Sequence, residues 1–145
     1  WAKEMGIKYK LWNIQAAIGC AQLQRIDVLL AGKRRVFEGY RQRLANRPVR
    51  MNVEPEGTVN GYWMPTIVVD EDVPFDREKL LADFADNRID GRVFFWPLSM
   101  LPMFEERAEN RNSYSLYKRA INLPSYHDLD DAGLDRVCEV LIRHI

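Results

Sequence analysis

The stretch NIQAAIGCAQLQRIDVLLAGKRRVFEGYRQRLAN, residues 13–46, decides the architecture of this chain. Ile14, Ala17, Ile18, Ala21, Ile26, Leu29 and Leu30 recur at helical spacing, and Val36, Phe37, Tyr40 and Leu44 continue the stripe. Asn13 is a good N-cap residue type, and Pro48 stops the pattern. The spacing predicts a helix over residues 13–46, about 50 Å long at a rise of about 1.5 Å per residue. Gly19, Gly32 and Gly39 each weaken it, and a kink or break is expected near Gly32. So long a helix is unusual inside one globular domain and suits a bridge between two bodies or an interface. Ala16, Ala17, Gly19, Cys20 and Ala21 at its start leave room for a second backbone to approach.

Before the helix, residues 1–12 form an irregular lead-in with aromatic Trp1, Tyr9 and Trp12. After it, residues 49–60 are polar and read as a loop. Residues 61–69 (GYWMPTIVV) read as a strand, which Pro65 assigns to an edge or bulge. Asp76 caps a predicted helix over 77–87 with Leu80, Leu81 and Phe84 as its apolar face. Asp90-Gly91 turns the chain into a strand over Arg92-Val93-Phe94-Phe95-Trp96, closed by Pro97. A loop with one helical turn (98–111), a short helix (112–119) and a third strand (120–123) follow. Asp130 or Asp131 caps a final helix with Leu134, Val137, Cys138, Leu141 and Ile142 on one face. This order predicts an α+β fold: a long N-terminal helix, then a small, mainly antiparallel sheet covered by helices. Residues 1–47 divide off as lead-in and interdomain helix, and 48–145 as a small C-terminal domain.

A chain of 145 residues, 47% hydrophobic and 29% charged, has the size and composition of one globular domain. Twenty-one basic side chains balance 21 acidic ones, so no general attraction to nucleic acid or an anionic membrane is expected. No apolar run reaches the ~18 residues of a membrane span, and the charged N-terminus is no signal peptide. It also lacks an initiator Met, and the chain is expected to be a fragment of something longer. Cys20 and Cys138 lie in helix-like apolar stretches and are expected as buried free thiols in a reducing, cytoplasmic setting, a single disulfide being the alternative. Without a CxxC pair, and with only His127 and His144, no zinc site is expected.

No self-contained catalytic motif occurs: GxSxG, HExxH, P-loop and GxGxxG are all absent. Asp70-Glu71-Asp72 reads as a solvated loop, Lys33-Arg34-Arg35 as a solvated helix face, and His127 as a surface histidine. Two segments read differently. Tyr9-Lys10-Leu11-Trp12-Asn13 sets a cation, two aromatics and an amide at a helix start. Free N–H groups and partial positive charge there suit a phosphate, although plain capping by Asn13 also accounts for the pattern. Arg92-Val93-Phe94-Phe95-Trp96-Pro97-Leu98 follows an arginine with three aromatics, either as core packing or as a wall that stacks on a flat ligand.

At these segments the chain resembles the DegT/StrS family of sugar aminotransferases. Residues 6–23, GIKYKLWNIQAAIGCAQL, are similar to the family pattern G-[YF]-N-Y-[RK]-[ML]-x-N-[IL]-Q-A-A-[IL]-G-x-A-Q-L. Lys8 replaces the usual Asn, and Lys10 takes a position more often Arg. Downstream, Arg92–Leu98 with Pro102-Met103-Phe104 resembles R-x-x-[FY]-x-P-L…P-x-[FY], and Ile121–Tyr126 resembles [IL]-x-L-P-[ST]-[YH]. The resemblance implies a pyridoxal 5′-phosphate (PLP) enzyme of fold type I, moving an amino group from glutamate to a keto-sugar nucleotide. It implies a homodimer with active sites at the subunit interface. It places Asn13 on the cofactor phosphate of the neighbouring subunit, Tyr9 and Lys10 near cofactor and sugar nucleotide, and Arg92 at the site entrance. The Phe-Phe-Trp-Pro-Leu-Ser run looks most like enzymes that aminate GDP-4-keto-6-deoxymannose. The family's Schiff-base lysine, in a Ser-x-x-Lys context, lies upstream of this signature. None of Lys3, Lys8, Lys10, Lys33, Lys79 and Lys118 stands in that context, so this chain alone is expected to be inactive and to bind no PLP covalently. A sugar 3-dehydratase of the same fold, with histidine in place of that lysine, and a free-standing interaction domain are the alternatives. The exposed stripe of the long helix is expected to drive self-association.

Overall fold

The computed structural model describes every residue except Trp1, Lys8 and Tyr9. Its elements run α1 (Asn13–Leu23), α2 (Ile26–Arg43), β1 (Val49–Met51), β2 (Thr66–Val69), α3 (Arg77–Asp86), β3 (Arg92–Val93), α4 (Arg111–Arg119), β4 (Ala120–Asn122) and α5 (Asp131–Ile142). A single 3₁₀ turn, Leu98–Met100, lies between β3 and α4. The α+β order expected from the sequence is therefore present, with corrections at the long helix and in the sheet, where β2 is also shorter than the expected 61–69.

The expected single helix is two. The break falls at Gln24-Arg25, where Arg25 leaves helical geometry (φ −124°, ψ 23°), and not at Gly32. Gly32 sits inside unbroken α2 because something else needs the space: a Cβ there would lie 2.7 Å from the His127 carbonyl oxygen. Gly39 serves the same end one face round, where a Cβ would come within 2.5 Å of Leu134 Cδ1 and hold α2 off α5.

The sheet has four strands in the order β1-β2-β4-β3, every pair antiparallel. Register is Val49↔Val69 and Met51↔Ile67 on one side of β2, and Ile67↔Ile121 on the other. Thus β2 is an interior strand, where Pro65 favoured an edge or a bulge. Pro65 stands just before the ladder, where its missing N–H costs nothing, and its carbonyl accepts from Leu123 N–H at 2.8 Å. The second correction is β1, which lies inside residues expected to be loop. At three residues it is too short to show a period-2 pattern in sequence.

Ile67 and Val69 of β2, with Ile121 of β4, meet Val36 and Tyr40 of α2, Leu80 and Phe84 of α3, and Leu134 and Leu141 of α5 in one core. Each large side chain so buried stabilises the fold by about 1.5–3 kcal/mol. Polar atoms inside are matched: Thr66 Oγ1 donates to Asn122 Oδ1 at 2.7 Å, and Asn122 Nδ2 donates to the Val93 carbonyl at 3.2 Å. Asp76 caps α3 through Lys79 N–H (3.0 Å), as expected. Asp130, rather than Asp131, caps α5 through Gly133 N–H (2.8 Å). In contrast, α1 buries nothing: Ile14 is 75% exposed and Ile18 58%.

Candidate functional site

The start of α1 is built differently from its expected form. Trp12, not Asn13, occupies the N-cap position, with extended backbone (φ −82°, ψ 151°). Its N–H donates back to Gln15 Oε1 at 2.9 Å, which is the half of a capping box that needs no hydroxyl at the cap. Asn13 becomes the first helical residue, and its side chain is exposed with no hydrogen bond to the described residues. Lys10 is likewise exposed, and Tyr9 lies outside the described residues. Residues 10–15 are all exposed, so the Asn13 amide and the first turn of α1 are open to solvent. That donor set fits a phosphate, and it offers nothing to the rest of a PLP molecule.

Arg92 stands on the edge strand β3, where its guanidinium is held by Asp90 at 2.8 Å; that hydrogen-bonded pair raises its pKa further. The ladder ends at Val93, so β3 is two residues rather than five, and Phe94, Phe95 and Trp96 do not alternate across a sheet. Trp96 packs on Tyr117 (ring centroids 4.9 Å) and beneath the Arg77 guanidinium (5.5 Å), whereas Phe95 remains 58% exposed. The aromatic run thus divides between packing and an open wall. No hydrogen bond or ion pair among the described residues joins Arg92 to Lys10 or Asn13.

The basic run expected on a solvated face is only partly solvated: Lys33 and Arg34 are half-buried and Arg35 is exposed, and all three are engaged. Lys33 Nζ donates to Ser125 Oγ (3.2 Å), to the Ser125 carbonyl and to the Trp63 carbonyl (3.4 Å), and its burial lowers the ammonium pKa. Arg34 grips Glu54 with both Nη atoms at 2.9 Å and also donates to the Asn60 carbonyl at 2.6 Å. Arg35 donates to the Leu129 carbonyl at 2.8 Å. Together the three cations bind two loops to α2, the one between β1 and β2 and the one between β4 and α5. Glu54 gains further donors in Asn60 N–H (2.9 Å) and Tyr62 OH (3.1 Å); with Arg34 the largest cause, its carboxyl falls to about 2. Tyr62, at φ 44°, stacks on Phe37 with centroids 3.7 Å apart. The signal in sequence was adjacency: three successive helical residues span too wide an arc to share one face next to buried Val36 and Phe37.

Asp70 and Glu71 meet Arg50 (3.1 Å) and Arg119 (3.0 Å) near the surface. The His127 side chain is 43% exposed, as expected of a surface histidine, but the His144 side chain is only 7% exposed, with Nε2 at 2.7 Å from Asp83 Oδ2, tying the last turn of the chain to α3. Both cysteines are free. Cys20 is exposed, contrary to expectation, because α1 lacks a cover; Cys138 is buried, which pushes its thiol up to about 11. No group of three metal-ligating side chains occurs among the described residues, and none of their helices is long and apolar enough to cross a membrane.

A small antiparallel sheet under α2, α3 and α5, preceded by an uncovered helix, is a fold shared with parts of sugar-transforming PLP enzymes. It superposes on a putative sugar aminotransferase of Streptococcus pneumoniae in its PLP form with TM-score 0.77, at 22% identity, over 88% of this chain and 34% of that one. It also superposes on the Escherichia coli GDP-4-keto-6-deoxy-D-mannose-3-dehydratase with bound hydrated PLP, with TM-score 0.70, at 19% identity, over 88% of this chain and 34% of that one. The DegT/DnrJ/EryC1/StrS aminotransferase family matches residues 1–142, and the chain belongs to it. Among its relatives, the GDP-perosamine synthase of Vibrio cholerae is 37% identical over 97% of this chain, which spans 39% of that protein's length.

Proposed function

We propose that this chain is the C-terminal part of a PLP-dependent aminotransferase that moves an amino group from glutamate to a keto-sugar nucleotide, GDP-4-keto-6-deoxymannose being the favoured substrate. The observation that carries this is the 37% identity, along nearly the whole chain, to a GDP-perosamine synthase. Residues 1–47 serve as lead-in and interdomain helices, and 48–145 as the small domain. When bound, PLP supplies the electron sink for amino transfer. This chain's share is positional. Asn13 and the first turn of α1 donate to the cofactor phosphate of a neighbouring subunit, which the exposure of that turn supports. Tyr9 and Lys10 contact cofactor and sugar nucleotide, and Arg92, steadied by Asp90, lines the entrance. The uncovered apolar residues of α1 pack against the rest of a homodimer in the cytoplasm. A 3-dehydratase remains the competing reading, since that fold is shared at TM-score 0.70.

The test is to express the complete reading frame that encodes this chain and supply PLP, ¹⁵N-glutamate and GDP-4-keto-6-deoxymannose. A 4-amino sugar carrying ¹⁵N is expected. A 3-deoxy product without ¹⁵N assigns the protein to the dehydratases, and no turnover of the sugar nucleotide rejects the substrate.

A further inference from the structure

Away from α1, the C-terminal end of α3 carries an arginine where a glycine is usual. Ile89 N–H donates to the Phe84 carbonyl (2.7 Å) and Arg88 N–H to the Ala85 carbonyl (2.9 Å). This pair of bonds is the Schellman closure, whose C′ residue adopts the left-handed region and is most often Gly. Here the C′ residue is Arg88, at φ 55°. Its side chain makes no hydrogen bond or ion pair with the described residues. It lines a groove of about 290 Å³ between this turn, the loop after β4 and the first half of α5. Buried Ile89, Leu129 and Val137 form the floor, and the Tyr126 ring, 56% exposed, stands at the side. A second guanidinium, Arg136, reaches the groove and is steadied by the Asn87 carbonyl, with no carboxylate partner among the described residues. The one carboxylate present, Asp90, is engaged by Arg92 at 2.8 Å. The groove therefore combines an apolar, ring-flanked floor with two cations that no acid neutralises.

We propose that this groove binds a small organic anion: a single aromatic ring bearing a phosphate or carboxylate group, the ring on the Ile89–Leu129–Val137 floor beside Tyr126 and the acid between Arg88 and Arg136. The volume admits one ring and its acid, near the lower limit of about 300 Å³ for small-molecule pockets. An unstrained glycine at position 88 would close α3 better, so the arginine there gives up local stability for a guanidinium at the rim.

The measurement is methyl NMR of this chain titrated with phenyl phosphate and, separately, with benzoate; inorganic phosphate and benzyl alcohol are the ring-free and charge-free controls. Saturable shifts of the Ile89, Leu129 and Val137 methyl groups are expected with at least one aryl anion, and the tighter of the two names the acid. Arg88→Gly should weaken that binding by about tenfold or more while melting no lower than wild type, and Tyr126→Ala should weaken it with the fold intact. No saturable shift with either aryl anion overturns the proposal. So does an equal response to either control, or unchanged affinity in Arg88→Gly.

Discussion

Helices α1 and α2 are neighbours in sequence and opposite in circumstance. Both carry recurring apolar residues. In α2, Val36 and Tyr40 are fully buried against the sheet and α5, whereas in α1 no residue is buried at all. Composition points the other way, since α1 has no charged residue and α2 has seven, yet it is α2 that is buried; the presence of a partner decides. Apolar periodicity reports that a helix needs a cover, and only the surrounding chain says whether the cover is present.

The largest test of that contrast is a pair of truncations. Tyr40→Ala should cost about 3–5 kcal/mol in urea unfolding, since it opens the core and strips the Pro124 carbonyl of its donor at 2.9 Å. Ile18→Ala should change stability by less than about 0.5 kcal/mol, because its side chain loses no packing within the chain; a comparable loss at Ile18 would show that α1 is covered after all. A smaller effect of opposite sign is expected at the end of α3, where Arg88→Gly should raise stability by about 1 kcal/mol in the same assay by relieving the left-handed backbone. Glu54→Gln should lower the melting temperature by a few degrees at neutral pH. The folded carboxyl lies at about 2 against an ordinary 4.5, so its contribution is whole above pH 4.5 and fades as pH falls through 2. The two melting curves should converge across that window, and a gap that persists at pH 2 would deny the ionised Glu54 its role. The smallest effect is chemical. A thiol reagent should label Cys20 at once in the native chain and Cys138 only with unfolding; prompt labelling of both would contradict the burial that raises Cys138 to about 11.

Much of the fold after α2 was legible in advance. The helices over α3 and α5 declared themselves by caps and period, and their observed cap bonds are those of Asp76 and Asp130. What escaped was set by long-range contact. Three-residue β1 is a strand because β2 pairs with it, and Gly32 is a point of approach for the His127 loop rather than a breaker. Of the candidate site, residues 6–23 declared the family, but capping chemistry at the helix start was misassigned: Gln15 reaches back to Trp12 and frees Asn13. The Lys33–Arg35 run was misjudged because its acceptors are mostly main-chain carbonyls, which no residue type advertises.

That run also bears on the speed of folding. The bond from Lys33 spans 92 residues, that from Arg34 to Asn60 spans 26, and that from Arg35 spans 94, so two of them close loops of well over half the chain. Helix α2 forms from local contacts, while the clasps of Lys33 and Arg35 wait for distant segments to arrive. Bonds made after the transition state slow unfolding without hastening folding. Lys33 and Arg35 are thus expected to act as a late-closing latch, their replacement by alanine speeding unfolding more than it slows refolding in stopped-flow measurements.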